Sequence, residues 1–322
     1  MFLERQTPKI FFMSIKRIYV GSIVNRDLEF FEKIVKFTKV NYNIKIVNLL
    51  PDKGYKKGIF NIKYFQKKLK KYPLSLIIVK LLSDDFNKII YDALKTYAPK
   101  IPLLNSLNAV QTCESRKATF KFIEERYNKI NFPKSFYSFN EAVQAFSNGK
   151  KVIIKYDIHN APNLSKEDRI VGIAGNLTEF ERLIKNYNKD KLFFQEYLGK
   201  IDIIYKVYLI DRWIVSITSH NWLREQKLTP YQLVHIRVPI DKELKRKIRK
   251  LGRKFGMPVF GVDYILTKDG TPYIIDINDF PSYRYIPEAT SLISDYIYEF
   301  LIARQKVIGR IPMKLKSRTY TT

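Results

Sequence analysis

Residues 260–283 read FGVDYILTKDGTPYIIDINDFPSY. Two apolar runs, 259–266 and 273–277, flank Lys268-Asp269-Gly270, a turn signal that joins antiparallel strands. Asp263 lies in the first run, and Asp276 and Asn278 lie two apart near the end of the second. Residues two apart on a strand point to the same face, and the hairpin brings Asp263 beside that face. Two carboxylates and one amide oxygen then converge from neighbouring strands. Hard oxygen donors of this kind suit Mg2+, which keeps several waters and bridges nucleotide phosphates. The competing reading makes Asp276 and Asn278 no more than the start of a turn before Pro281.

Upstream, FFQEYLGK (193–200) reads as an apolar strand ending in Gln195-Glu196-Tyr197. The backbone of such a strand-to-linker passage offers alternating donors and acceptors to a purine edge. Lys155 ends the strand 152–154, where a lone cation would meet an α- or β-phosphate. Lys206 lies among apolar residues in a strand at 203–210. A lysine inside a buried strand needs an anionic partner or a route to solvent. Asp241 caps a basic helix running to Phe255, with Leu244, Ile248, Leu251 and Phe255 as its apolar stripe and Gly256 as its stop.

The first hundred residues alternate strand and helix signals. Strands are expected at 15–23, 44–49 and 74–79, and helices at 26–40 and 86–97, the latter capped from Ser83-Asp84-Asp85. Repeated β-α-β of this kind argues for an open, largely parallel sheet. Further on, helices are expected at 115–127, 141–146, 177–187 and 287–303. Strands are expected at 169–174 and 192–197, a hairpin at 203–210 and 213–218, and a polar loop at 157–167.

The chain has 322 residues and a formal net charge of +27. A hydrophobic content of 46 % excludes disorder as the dominant state. A single cysteine, Cys113, excludes a disulfide framework and any multi-cysteine metal site, and it fits a reducing, cytoplasmic setting. No apolar run approaches the roughly 18–20 residues that span a bilayer, and charged Glu4, Arg5 and Lys9 argue against a signal peptide. Such an excess of positive charge answers to a polyanion: nucleic acid, an anionic membrane surface or a phosphate-rich metabolite. Between Lys53 and Ser83 there are nine lysines and no acid, a run most simply read as a solvated face.

The order of these features is lysine strand, Q-E-Y, lysine strand, basic helix, Asp and D-x-N. It resembles the ATP-grasp superfamily over roughly residues 105–301. The resemblance implies an α/β (α+β) fold: an N-terminal parallel-sheet domain at 1–105, two ATP-clamping α+β subdomains at 106–190 and 191–303, and a basic tail at 304–322. Within the superfamily, QEYLGKIDIIYKVYLI and IDINDFPSY are similar to motifs of the inositol 1,3,4-trisphosphate 5/6-kinases. RimK-type amino-acid ligases share the carboxylate ending and are the next closest branch. LIIVKLLSDDF (76–86) resembles the kinases' substrate-facing segment, with Lys80 as its lysine, and Arg116 in CESRKATF resembles their nucleotide-contacting arginine. The kinases carry a Gly-containing loop with a Ser-His pair, whereas this chain has DIHNAPNLSKEDR with His159 near its start. Their basic stretch after the second lysine strand is replaced by SITSHNWLRE, with His220 and Arg224 as nearest substitutes.

The resemblance implies ATP and one or two Mg2+ as cofactors. Lys155, Lys206 and Arg116 would hold phosphates, the backbone of Gln195 and Tyr197 adenine, and Glu196 or Asp202 ribose. Asp263, Asp276 and Asn278 would hold the metal, and Lys206 and His159 are the candidate catalytic residues. Lys80, Arg284, Arg26, Arg224 and His220 would meet an anionic small molecule, an inositol phosphate or an acidic amino acid or peptide. A monomeric kinase is the first expectation and a carboxylate–amine ligase the second. A nucleic-acid-binding protein with a worn ATP site is third; the buried stripe of helix 241–255 offers no interleaved aromatics for it.

Overall fold

A computed structural model describes residues 17–51, 60–160, 169–221 and 234–307. Three sheets organise them. The first is parallel, in the order β2 (Ile44–Asn48), β1 (Ile18–Val24), β3 (Leu74–Lys80), β4 (Leu103–Leu104). Its central strands are apolar on both sides because both faces are covered. Ile18, Val20 and Ile78 pack with Phe31 and Ile34 of α1 (Leu28–Tyr42). Ile77 and Val79 pack with Phe65 of α2 (Ile62–Lys71) and Leu94 of α3 (Asn87–Tyr97). Helix α3 starts at Asn87, and of the expected Ser83-Asp84-Asp85 cap Asp84 contributes, its Oδ1 accepting from Phe86 N–H at 3.1 Å just ahead of the helix. Ser83 instead exchanges hydrogen bonds with Asn160, its N–H donating to Asn160 O (3.0 Å) and its Oγ accepting from Asn160 N–H (3.2 Å). The loop after the first lysine strand is tied to the N-terminal sheet in this way.

Two short helices, α4 (Leu107–Cys113) and α5 (Arg116–Arg126), follow, and Ser115 caps the second by accepting from Ala118 N–H. The second sheet is antiparallel, in the order β5 (Ser135–Phe136), β8 (Leu192–Glu196), β6 (Val152–Tyr156), β7 (Ile170–Ala174). It packs under α6 (Phe139–Ser147) and α7 (Leu177–Ile184), and through β8 it extends past residue 190. The third sheet is antiparallel, in the order β11 (Arg237–Val238), β10 (Trp213–His220), β9 (Ile203–Ile210), β12 (Val259–Leu266), β13 (Pro272–Asn278).

Helix α8 (Lys242–Phe255) begins at Asp241, whose Oδ1 accepts from the N–H groups of Glu243 and Leu244, and stops at Gly256 with φ 73°. Its Leu244, Ile248 and Leu251 are buried with Val207, Leu209 and Val262 of the third sheet. Helix α9 (Ala289–Val307) packs against α1 and runs past residue 303, into the segment expected as tail. Residues 308–322, part of the 157–167 loop, Lys53–Lys57 and Arg224 lie outside the described residues. Among the described residues no helix is long and apolar enough to cross a membrane.

Candidate active site

Period-two alternation sorts the third sheet into two faces. Val207, Leu209, Val262 and Ile277 face α8, so Lys206, Tyr208, Gly261, Asp263, Asp276 and Asn278 point the other way. Register aligns them in two rows across β9, β12 and β13. One row is Lys206–Asp263–Asp276 and its neighbour is Tyr208–Gly261–Asn278. Position 261 leaves no room for a side chain, since a Cβ there would stand 2.8 Å from Pro281 Cγ. Both rows line a cavity of about 410 Å³ closed by the second sheet and the C-terminal edge of the first. Lys155, Gln195, Glu196, Tyr197, Arg116, Arg26 and Arg284 line it too, so eleven of the sixteen candidates share one space.

The two carboxylates are already paired with cations. Asp276 Oδ2 lies 2.7 Å from His159 Nε2, and its Oδ1 lies 3.7 Å from Arg116 Nε. Burial opposes ionisation of Asp276, yet His159, Arg116 and Lys155 together hold its carboxyl well below the usual carboxylate range. Lys206 Nζ donates to Asp263 Oδ2 at 2.5 Å. Burial lowers the Lys206 pKa, and the Asp263 charge more than reverses that, leaving it raised.

The chain around His159 is held on several sides. Arg116 N–H donates to Asp157 O, His159 N–H to Glu114 O, and Arg116 Nη1 to the carbonyls of Tyr156 (2.6 Å) and Ile158 (2.9 Å). Asp157 in turn accepts from Ser115 Oγ and Lys117 N–H. His159 is 2 % exposed and does not line the cavity, which departs from its expected catalytic place; it meets Asp276 through Nε2.

Lys155 is buried on β6, with Nζ donating to Gln195 Oε1 (2.8 Å) and Ile275 O (3.4 Å). Burial, reinforced by Arg116, pulls its pKa down to about 8. An anion bound beside it raises that pKa again, so, with a nucleotide phosphate in the expected place beside Lys155, binding should take up protons. At pH 8 the uptake is expected to be roughly half a proton per nucleotide, fading towards pH 6 where Lys155 is already charged. Calorimetric titrations in buffers of different ionisation enthalpy measure it. A proton release at pH 8 would contradict the placement.

Several expectations are corrected. Gln195 is fully buried and its backbone pairs with Ser135 on one side and Ile153 on the other. The N–H groups of Glu196 and Tyr197 donate to Lys134 O and Lys151 O, each at 2.8 Å, and Glu196 Oε1 meets Lys150 Nζ. These groups are used by the sheet and its margin. The next residue, Leu198, lines the cavity, and its N–H has no partner among the described residues. Asp202 and His220 do not line the cavity; Asp202 O accepts from Asn221 N–H, and His220 ends β10 opposite Ile203. Lys80, expected to face substrate, is 0 % exposed, with Nζ turned to Asp27 Oδ2 and to backbone carbonyls of 280 and 281. Its strand ends beneath the segment leaving β13, so the side chain meets backbone before it reaches open space.

Arg169 was not singled out by its sequence context. It immediately precedes β7, lines the cavity and has a buried Nε with no hydrogen-bond partner among the described residues. Burial, then the Arg116 charge, lowers its pKa. Only the β6–β7 pairing, with Lys155 opposite Ile170, brings it here.

Among the described residues no cluster of three or more His, Cys, Asp or Glu side chains could hold a metal. Asp263, Asp276 and Asn278 form a mixed set of two carboxylates and an amide on adjacent strands, a donor chemistry that fits Mg2+.

A family model described as the inositol 1,3,4-trisphosphate 5/6-kinase ATP-grasp domain matches residues 223–299. No curated protein sequence matches the chain significantly. Among solved structures, the chain is similar to a RiPP-associated ATP-grasp ligase from Chryseobacterium gregarium, in complex with ADP and a leader and core peptide (TM-score 0.60, 13 % identity, 89 % of this chain and 97 % of that one). It is also similar to a D-alanine–D-alanine ligase from Bacillus anthracis (0.59, 14 %, 91 % and 100 %). A third is a RimK domain ATP-grasp protein from Sphaerobacter thermophilus (0.58, 11 %, 88 % and 99 %). Three sheets meeting at one carboxylate-lined cavity, with these neighbours matched over nearly their whole length, give the chain the ATP-grasp fold.

Proposed function

We propose that this chain is an ATP-dependent phosphotransferase that moves the γ-phosphoryl group of Mg-ATP to a hydroxyl of a phosphorylated small molecule of the inositol phosphate class. The observation that carries the reading is the charge of the cavity wall. Six cations, Arg26, Arg116, Lys155, Arg169, Lys206 and Arg284, face four acids, Asp27, Glu196, Asp263 and Asp276. Two of those acids are assigned to the metal, which leaves a wall rich in cations and suited to an anionic acceptor beside the nucleotide. The match to the inositol kinase domain over 223–299 supports the same reading.

Lys155 and Lys206 bind phosphate oxygens from opposite walls, and Leu198 N–H reads the base. Asp263, Asp276 and Asn278 would hold Mg2+, which when bound neutralises charge on the β- and γ-phosphates. His159 and Arg116 keep Asp276 ionised and oriented. Arg169 and Arg284 bind anionic groups of the acceptor and bring its hydroxyl into line, beside Arg26, which is held by Asp279. Phosphoryl transfer needs little covalent help, so positioning and charge neutralisation dominate.

The ligase reading is favoured by a separate observation, the fold likeness to ligases along almost the whole chain. The two separate by product. ATP turnover is screened against inositol phosphates, and against amino acids with an acceptor acid. The kinase reading expects ADP and a more highly phosphorylated inositol. ADP with free phosphate and an amide would replace it by the ligase reading.

A further inference from the structure

We infer that Lys80 is a positioning residue for the candidate metal site: its buried ammonium clamps the backbone of Phe280 and Pro281 and so places Asn278 beside Asp263 and Asp276. The inference rests on the reading of these three as metal ligands.

Lys80 ends β3 and is fully buried. Burial pulls the Lys80 pKa down to about 7, and as an ammonium it has three donors for the three acceptors that surround it: Phe280 O at 2.5 Å, Asp27 Oδ2 at 2.9 Å and Pro281 O at 3.1 Å. The Phe280 ring lies against the same nitrogen, 4.8 Å from centroid to Nζ. Phe280 itself has φ 123°, a backbone region that side-chain-bearing residues rarely adopt and that persists only where the surroundings enforce it. Two carbonyls turned onto one cation supply that enforcement.

The same short segment is gripped twice more from the N-terminal domain. Arg26 Nη2 donates to Asp279 Oδ1 at 2.8 Å, and Asn105 Nδ2 donates to Asp279 O at 3.3 Å and Val259 O at 2.6 Å. Arg26, Lys80 and Asn105 all sit at or just beyond the C-terminal ends of first-sheet strands. Asn278 is one residue before this segment, at the end of β13, where the sheet ladder no longer fixes the chain ahead of it. Asn278 is also the one candidate ligand for which no side-chain hydrogen bond is recorded among the described residues, whereas Asp263 and Asp276 are each held by a cation. Its placement therefore depends on the backbone that follows it.

The test is Mn2+ binding to the full chain with a non-hydrolysable ATP analogue, followed by the loss of the free-Mn2+ paramagnetic resonance signal. Lys80→Met combined with Asp27→Asn removes the ammonium together with its carboxylate and leaves no lone buried charge. This pair should weaken Mn2+ binding about tenfold or more while the melting temperature remains that of a folded protein. A merely structural lysine would lower the melting temperature and leave the Mn2+ affinity of the folded fraction unchanged, which would overturn the inference. If the double variant does not fold, Lys80→Gln carries the same two readings. Asp263→Asn separates the underlying assignment. Unchanged Mn2+ affinity in that variant removes the metal site itself, whereas weakened affinity there with wild-type affinity in the Lys80 variants removes only the role of Lys80.

Discussion

Asp276→Asn is expected to reduce ATP turnover about a thousandfold, roughly 4 kcal/mol of transition-state stabilisation, in a chain that still folds. The substitution keeps the shape of the side chain and removes one negative charge. That charge does two jobs. In the proposed reading it supplies a hard anionic oxygen to the metal, and it balances the nearby His159, Arg116 and Lys155. An amide can still accept from His159, so the fold should persist with a loss of about 1.5–3 kcal/mol, the usual weight of a charge-assisted hydrogen bond. The pH dependence has a definite sign. The native carboxyl sits below its ordinary value of 3.8, so its pairing stabilises the fold fully above that value and is lost as pH falls below it. The stability gap between wild type and variant should therefore shrink as the solution is acidified below that value. Turnover, melting temperature and acid titration of both proteins check this. Undiminished turnover would remove Asp276 from the site.

Lys206→Met should have two effects of opposite sign. In the free chain Lys206 is the cation on Asp263. If Lys206 holds a phosphate as proposed, removing it takes that partner from the nucleotide, and kcat/KM for ATP should fall about 30- to 100-fold, roughly 2–3 kcal/mol. The same change frees Asp263 from a competing cation, so Mn2+ should bind more tightly when no nucleotide is present. A general loss of structure would weaken both. Tighter Mn2+ binding with poorer ATP use is specific to an ammonium that exchanges between carboxylate and phosphate. Parallel weakening of both would show that Lys206 only supports the sheet.

Much of this site was legible because β-strand geometry is local. The two-residue interval between Asp276 and Asn278 and the turn at Lys268–Gly270 imply one shared face, and the register confirms the row with Asp263. The apolar stripe of α8 and its Asp241 and Gly256 ends are likewise set within one helix. What sequence reading missed depends on segments far apart in the chain. Lys80 reads as a cation at a strand end; that it turns inward follows from a loop 200 residues later. Arg169 gains its place from the pairing of β7 with β6. His159 sits against Asp276, 117 residues on, because Glu114, Ser115 and Arg116 hold its backbone. Periodicity tells which way a side chain leaves its own backbone, and it does not tell what a long side chain meets at its far end.

The core shared by the first sheet and α9 bears on how the chain can be divided. Ile18, Val20, Phe31 and Ile34 are buried in the same cluster as Phe280, Tyr283, Ile293, Ile297 and Leu301. A cut near residue 105 would leave the whole resembling segment in hand and strip one side of that cluster to water. The first hundred residues are thus half of the wall on which the second half of the chain folds. Substitutions at Ile34 or Val20 should be felt as lost order around Tyr283, far along the sequence and next to the cavity. The part of the chain after residue 105 is not a detachable module.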